Sequence, residues 1–334
     1  MRPSIIITAI AFLLFSLKGR SQDIHFSQFD QAPVVMNVAQ TGAFKGEARF
    51  YANQRTQWRS VTIPYQTFAL GAEVNHLLSK PWSFGLVVGN DVAGDSRYKT
   101  TAVQSAASYV LKERSDTFQL RWGGGLGLTS RGFDPNALYY DAQWNGLVYD
   151  PALPNNESYA LTGRTYLTAT TGIYAQGIWK DTRWNAGYAL GNLTRPKQSF
   201  KNDANVVLDL RQAITLGARR RLNDTYEVQA ISLVQVQGKM HEWDFGGRCY
   251  YRLPSEIWQT RNVFAGVFRR TRDAAWFEIG SEYDNWRVGL SYDLNTSTLR
   301  PASTGKGGLE LSICYLIPPK PKLGKLKELC EPFF

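Results

Sequence analysis

A lipid-cleaving site needs a nucleophile beside a histidine, and a polar group that holds the histidine in place. The chain has three histidines, His25, His76 and His241. His241, followed by Glu242 and Asp244, comes nearest to such a grouping. Adjacent residues of a strand point to opposite faces, so His241 and Glu242 diverge. His25 sits in an irregular N-terminal stretch, and His76 lies at the end of another strand pattern, far away in sequence. No Gly-x-Ser-x-Gly elbow is present. These residues point away from an enzyme.

Metal and phosphate chemistry fare little better. Residues 132–162 hold Asp134, Asp141, Asp150 and Glu157 among several asparagines, and oxygen-rich loops can bind calcium. The run Asp141-Ala142-Gln143-Trp144-Asn145-Gly146 departs from helix–loop–helix calcium spacing, so turn chemistry is the better reading. Gly123, Gly124, Gly125 and Gly127 fall inside a strand pattern, where they permit close backbone approach or curvature rather than cradle a phosphate. No metal or cofactor is expected.

The elements that must position these residues are alternating segments. In 286–294, Trp286, Val288, Leu290, Tyr292 and Leu294 share one face, against Arg287, Gly289, Ser291 and Asp293. In 117–131, Phe118, Leu120, Trp122, Leu126 and Leu128 oppose Gln119, Arg121, Thr129 and Arg131. Leu309, Leu311, Ile313 and Tyr315 repeat the pattern against Glu310 and Ser312. Alternation predicts about fourteen strands, at 45–57, 65–77, 82–92, 100–112, 117–131, 163–179, 183–191, 206–221, 225–238, 241–253, 260–271, 274–284, 286–294 and 307–316.

Several of these are longer than usual for a soluble sandwich but suit tilted membrane-spanning strands. Most connections after even strands are short, and most after odd strands are longer, notably 132–162, 192–205 and 295–306. That asymmetry belongs to an outer-membrane barrel with both ends of its sheet on the periplasmic side. Trp58, Tyr65, Trp82, Trp179, Trp184, Trp258 and Trp286 near strand ends fit interfacial girdles. Arg121, Arg131, Glu278, Glu282, Arg287, Asp293 and Glu310 point inward, and charges of both signs across a barrel predict a filled lumen. The predicted fold is thus all-β, a transmembrane antiparallel β-barrel.

Four segments follow. Residues 1–21 read as a signal peptide, with Arg2, an apolar run from Ile5 to Leu17, and small Gly19 and Ser21 before the cleavage point. Residues 22–44 are too irregular for a strand and are expected in the periplasmic mouth or lumen. Residues 45–316 are the outer-membrane barrel, and 317–334 a basic periplasmic tail opened by Pro318 and Pro319. Net charge is +10. An exported chain meets no nucleic acid, so lipid headgroups or acidic partners are expected. Cys249, Cys314 and Cys330 form no disulfide scaffold, and the first two are expected to be buried.

The mature start Gln22-Asp23-Ile24-His25-Phe26-Ser27-Gln28-Phe29 resembles the PorP/SprF family. So do Asn53-Gln54-Arg55-Thr56-Gln57-Trp58-Arg59-Ser60-Val61 with Pro64-Tyr65, and the closing 288–297 and 307–312. Asp141 to Gly146 and Asp150-Pro151 resemble it too, as does the tail Cys330-Glu331-Pro332-Phe333. Asn37-Val38-Ala39 departs from the family's usual Asn-Pro-Ala. The family consists of outer-membrane proteins of the type IX secretion system in Bacteroidetes. The resemblance implies a fourteen-stranded, fatty-acid-transporter-like barrel. It further implies help in exporting or anchoring large surface proteins such as gliding-type adhesins, whose C-terminal secretion signals it handles alongside periplasmic machinery. The candidate partner-binding residues are Asp141, Trp144, Asn145 and Asp150 for cargo, and Lys320, Lys322, Lys325 and Lys327 for periplasmic partners. The alternative is a passive or fatty-acid-type uptake channel.

Overall fold

The computed structural model describes residues 25–57, 63–77, 81–114, 117–254, 261–297, 303 and 305–319. The expected signal 1–21, Trp58, Trp258, and the tail from Lys320 onward, with Lys322, Lys325, Lys327 and Cys330, lie outside the described residues.

Fourteen antiparallel strands close into one barrel. They are β1 Ala48–Gln57, β2 Tyr65–Asn75, β3 Trp82–Ala93, β4 Tyr98–Arg114, β5 Phe118–Gly132, β6 Gly163–Trp179, β7 Thr182–Gly191, β8 Arg211–Arg221, β9 Tyr226–Gln237, β10 Met240–Arg252, β11 Arg261–Arg270, β12 Ala274–Tyr283, β13 Trp286–Asn295 and β14 Lys306–Ile317. Each strand pairs with its sequence neighbours, and β1 joins β14 from Ala48↔Ile317 to Gln57↔Gly308. Closure leaves no free sheet edge to present unpaired backbone groups to hydrocarbon, which is the condition for spanning a bilayer with strands.

Side-chain alternation sorts the residues as anticipated. Along β13 the even-numbered residues are exposed and the odd-numbered ones buried, from Trp286 to Asn295. Registers align Ile279, Leu290 and Leu311 on the outer face, while Ser291 lies opposite Glu278 and Glu310 inside. Cys314 is buried on the inner face, but Cys249 is exposed, a correction to its expected burial. On β10 the inward positions are held by Arg248 and Tyr250, so parity turns Cys249 outward.

The two ends of the barrel differ. Aromatic residues ring the outside of the end that carries the turns 180–181 and 284–285. Trp82 meets Tyr109 at 5.0 Å, Phe118 meets Trp184 at 6.1 Å, Tyr226 meets Tyr251 at 5.5 Å, and Trp286 meets Tyr315 at 4.5 Å. Trp179 joins them with the Lys180 ammonium 5.3 Å from its ring. Amphipathic rings favour the membrane–water boundary, so this belt marks one interface. The opposite end carries the long connections 133–162 and 192–210, but also the tight turns 94–97, 238–239 and 271–273. One expected strand is shortened. Residues 206–210 leave the barrel because they pair locally, Gln198 N–H donating to Val206 O and Leu208 N–H to Pro196 O, both at 2.8 Å.

The core lies inside the barrel. Residues 25–44 run through it as short turns: 3-10 turns at Phe29–Gln31 and Val38–Gln40, and one α-helical turn at Pro33–Met36. Pro33 opens that helical turn, where a missing N–H costs nothing. Phe26, Phe29, Ala32, Val34, Met36 and Val38 are almost fully buried.

Leu290 sits midway along β13 on the outer face, so Leu290→Arg should cost roughly 2–4 kcal/mol of stability in a bilayer. Urea titration of protein refolded into vesicles, followed by tryptophan fluorescence, measures this. Ser291, one residue away, faces the opposite side.

Candidate functional site

The luminal segment crosses the barrel lengthwise, and each stretch is seated by polar wall residues. Near the long-loop end, Arg55 Nη1 donates to His25 O at 3.1 Å. The Ser27 and Gln28 N–H groups donate to the two carboxylate oxygens of Glu310 at 2.7 and 2.9 Å. Ser27 Oγ and Arg55 Nη2 both donate to Asp293. Midway, Asp30 accepts from both terminal nitrogens of Arg248 at 2.7 and 2.8 Å, and Arg248 also reaches Glu278 at 2.8 Å. Asn37 caps Ala39 N–H with its side-chain oxygen and donates to the wall carbonyl of Ile173 at 2.9 Å. The departure to Val38 therefore leaves the working residue, Asn37, in place. Near the short-turn end, Thr41 O accepts from Ser108 and Arg121, Gly42 N–H donates to Glu73, and Asn75 donates to Gly46 O.

The wall is shaped to receive this segment. A Cβ at Gly123 would lie 2.6 Å from Ala39 Cα, and one at Gly172 would collide with the Asn37 side chain. Glycine inside a strand weakens the sheet, and here it gives the room that the segment occupies. The close approach anticipated for Gly123 is observed.

The remaining lumen toward the short-turn end is filled by an ion-pair network. Arg219 bridges Glu227 at 2.7 Å and Glu282 at 3.1 Å, and its guanidinium lies 3.7 Å from the Tyr250 ring centre. Arg287 meets Glu282 at 2.8 Å, and Arg183 and Arg252 meet Glu227 at 3.1 and 2.6 Å. Buried charges require such partners, since desolvation without pairing is costly. A cavity of about 100 Å³ remains between Phe26 and Val35 of the segment and a wall that includes Ala69, Val87, Arg131, Tyr166 and Arg211.

The His241 grouping comes apart as parity requires. His241 is exposed on the outer face, while Glu242 and Asp244 turn inward to Arg270 at 3.7 and 3.2 Å. Sequence distance hid the fact that His25, not His241, stands near Glu242. Among the described residues, no group of histidines, cysteines and carboxylates is arranged to hold a metal ion.

The long-loop face brings Asp141, Trp144, Asn145 and Asp150 together in one folded loop. Asp141 begins the 3-10 turn Asp141–Gln143, and Trp144 pairs with Tyr149 across a small hairpin. Asn145 Oδ1 accepts from Leu147 N–H at 3.0 Å and Val148 N–H at 2.9 Å, and Asp150 Oδ1 accepts from Ala152 N–H at 2.9 Å. These oxygens serve the turns, as turn chemistry predicts. Gln143 was not singled out by its sequence context, yet it knits the loop. It is buried, donates to Leu153 O at 3.0 Å and accepts from Tyr149 Oη at 3.1 Å. A seam of Phe133, Tyr159 and Phe200, with ring centres 5.0 and 5.1 Å apart, ties this loop to residues 192–210. The loop leaves Tyr139, Trp144, Leu147 and Val148 at 79%, 57%, 85% and 59% exposure.

Arg248→Met would leave Asp30 and Glu278 buried without their cation, a loss of about 3–5 kcal/mol in local stability. Hydrogen exchange should then speed up at residues 25–44 while the strand amides stay protected. Gly123→Val should produce the same pattern by displacing Ala39.

The solved structures include barrels of similar form. The Ralstonia pickettii toluene transporter TbuX matches at 13% identity and a TM-score of 0.49, over 91% of this chain and 99% of that one. The Pseudomonas putida toluene transporter TodX matches at 11% identity and 0.48, over 85% and 92%. A Pseudomonas aeruginosa FadL homologue matches at 12% identity and 0.43, over 81% and 90%. No curated protein matches. The family model for the type IX secretion system membrane protein PorP/SprF matches residues 18–315, nearly the whole barrel and its luminal segment. The chain belongs to the PorP/SprF family of type IX secretion system membrane proteins.

Proposed function

We propose that this protein is a non-enzymatic outer-membrane component of the type IX system that helps to export or anchor large secreted proteins, such as gliding-type adhesins, through protein–protein contacts. The observation that carries the reading is the filled lumen. Residues 25–44 and the arginine–carboxylate network occupy the space a transported solute would need. A barrel so filled acts through its surfaces. Family membership supplies the secretion context.

In this reading the long-loop face looks out of the cell, and Asp141, Trp144, Asn145 and Asp150 belong to the cargo contact. β14 ends on the short-turn side, so the following Lys320, Lys322, Lys325 and Lys327 are proposed to meet periplasmic machinery. A cleaved signal over 1–21 would deliver the chain to that compartment.

Deleting the gene should abolish surface display of the cognate secreted protein while unrelated outer-membrane proteins persist; unchanged display would overturn the proposal. Purified protein in planar bilayers should conduct little and admit no small hydrophobic solute into liposomes. Robust uptake would favour a channel instead.

A further inference from the structure

We infer that the loop 133–162 is a docking arm for a cationic protein segment that carries an apolar face. The inference rests on the protein-contact reading above and gives the partner's chemistry. The chain has a net charge of +10, yet this loop contains Asp134, Asp141, Asp150 and Glu157 and no lysine, arginine or histidine. Among the described residues, Asp134, Asp141 and Asp150 enter no ion pair, and Glu157 meets only Lys201 across 3.5 Å at the surface. Asp134 and Asp150 accept backbone N–H bonds within their own turns, which fixes their positions and leaves their charge outward. The arm therefore presents a negative field on an otherwise basic molecule, and opposite charge on a partner speeds encounter and sets register.

The second feature is the apolar tip. Trp144, Leu147 and Val148 project from a hairpin held by Asn145, while the Tyr139 ring packs edge-on against Tyr149 at 4.8 Å. Exposed apolar groups held in a fixed conformation mark an interaction site, because little ordering entropy is lost on contact. Lipid is the competing occupant of such a tip. Asp134, Asp141 and Asp150 of the same arm would be repelled by anionic headgroups, so a basic protein surface fits better than a membrane.

The test uses the full chain in nanodiscs of neutral phosphatidylcholine. The probes are two synthetic peptides with one leucine-rich face, one with lysines and the other with glutamates at the polar positions. The lysine peptide should bind over empty nanodiscs, more tightly than the glutamate peptide by on the order of tenfold or more, and should weaken as salt is raised. The triple variant D134N, D141N, D150N keeps the capping oxygens, and it should erase the preference. The double variant W144S, L147S should weaken the lysine peptide without removing its advantage. Equal binding of the two peptides, or an unaltered preference in the triple variant, would overturn the inference. So would transfer of Trp144 into added anionic vesicles, seen as a blue shift of its fluorescence. In cells, the triple variant should insert normally and lower cargo display. Normal display alongside lost peptide preference would overturn the docking assignment and leave the secretion role standing, whereas unchanged display on gene deletion would remove that role itself.

Discussion

The pairing of charge inside the barrel governs this molecule. A barrel of fourteen strands satisfies its backbone by closing, but closure creates an interior in which every ionised side chain must find a partner. Arg248 is the centre of that solution. It holds Glu278 of the wall and Asp30 of the luminal segment at once, so sheet and segment share one electrostatic unit. Glu310, with the two N–H groups of Ser27 and Gln28, does the same with an anion of the wall and the backbone of the segment. The segment is thus a structural part of the barrel, and glycines such as Gly123 show that the wall was shaped to admit it.

With the lumen given over to packing, the proposed contacts fall to the ends of the barrel. The long-loop face has its own small fold, organised by Gln143 and by the Phe133–Phe200 seam. That organisation holds Trp144, Leu147 and Val148 outward. Exposure of this kind is what the proposed protein contact calls for.

The fold was legible because a two-residue period carries most of its information. In β13, parity alone assigns Trp286 through Leu294 to lipid and Arg287 through Asp293 to the interior. Cys249 was missed because its expected burial came from residue type, whereas parity beside Arg248 turns it outward. Parity itself failed at 206–210, an apolar run whose partners, Pro196 and Gln198, lie in the same loop. The seat of the luminal segment was not legible. Asp30 and Arg248 are 218 positions apart, and no local pattern links them. Asp141 through Gly146 and Asp150 were visible as a motif; the role of Gln143 within it was not, because it depends on carbonyls brought round by the loop.

The lengthwise passage of residues 25–44 has a bearing on biogenesis. A rod lying inside a cylinder and bonded to staves on every side has its binding groups in place only when the staves are joined. β1 and β14 make the last seam, and the segment touches Arg55 of one and Glu310 of the other. The seat of the segment is thus shared between the first strand and the last, and it is complete only when that seam is closed.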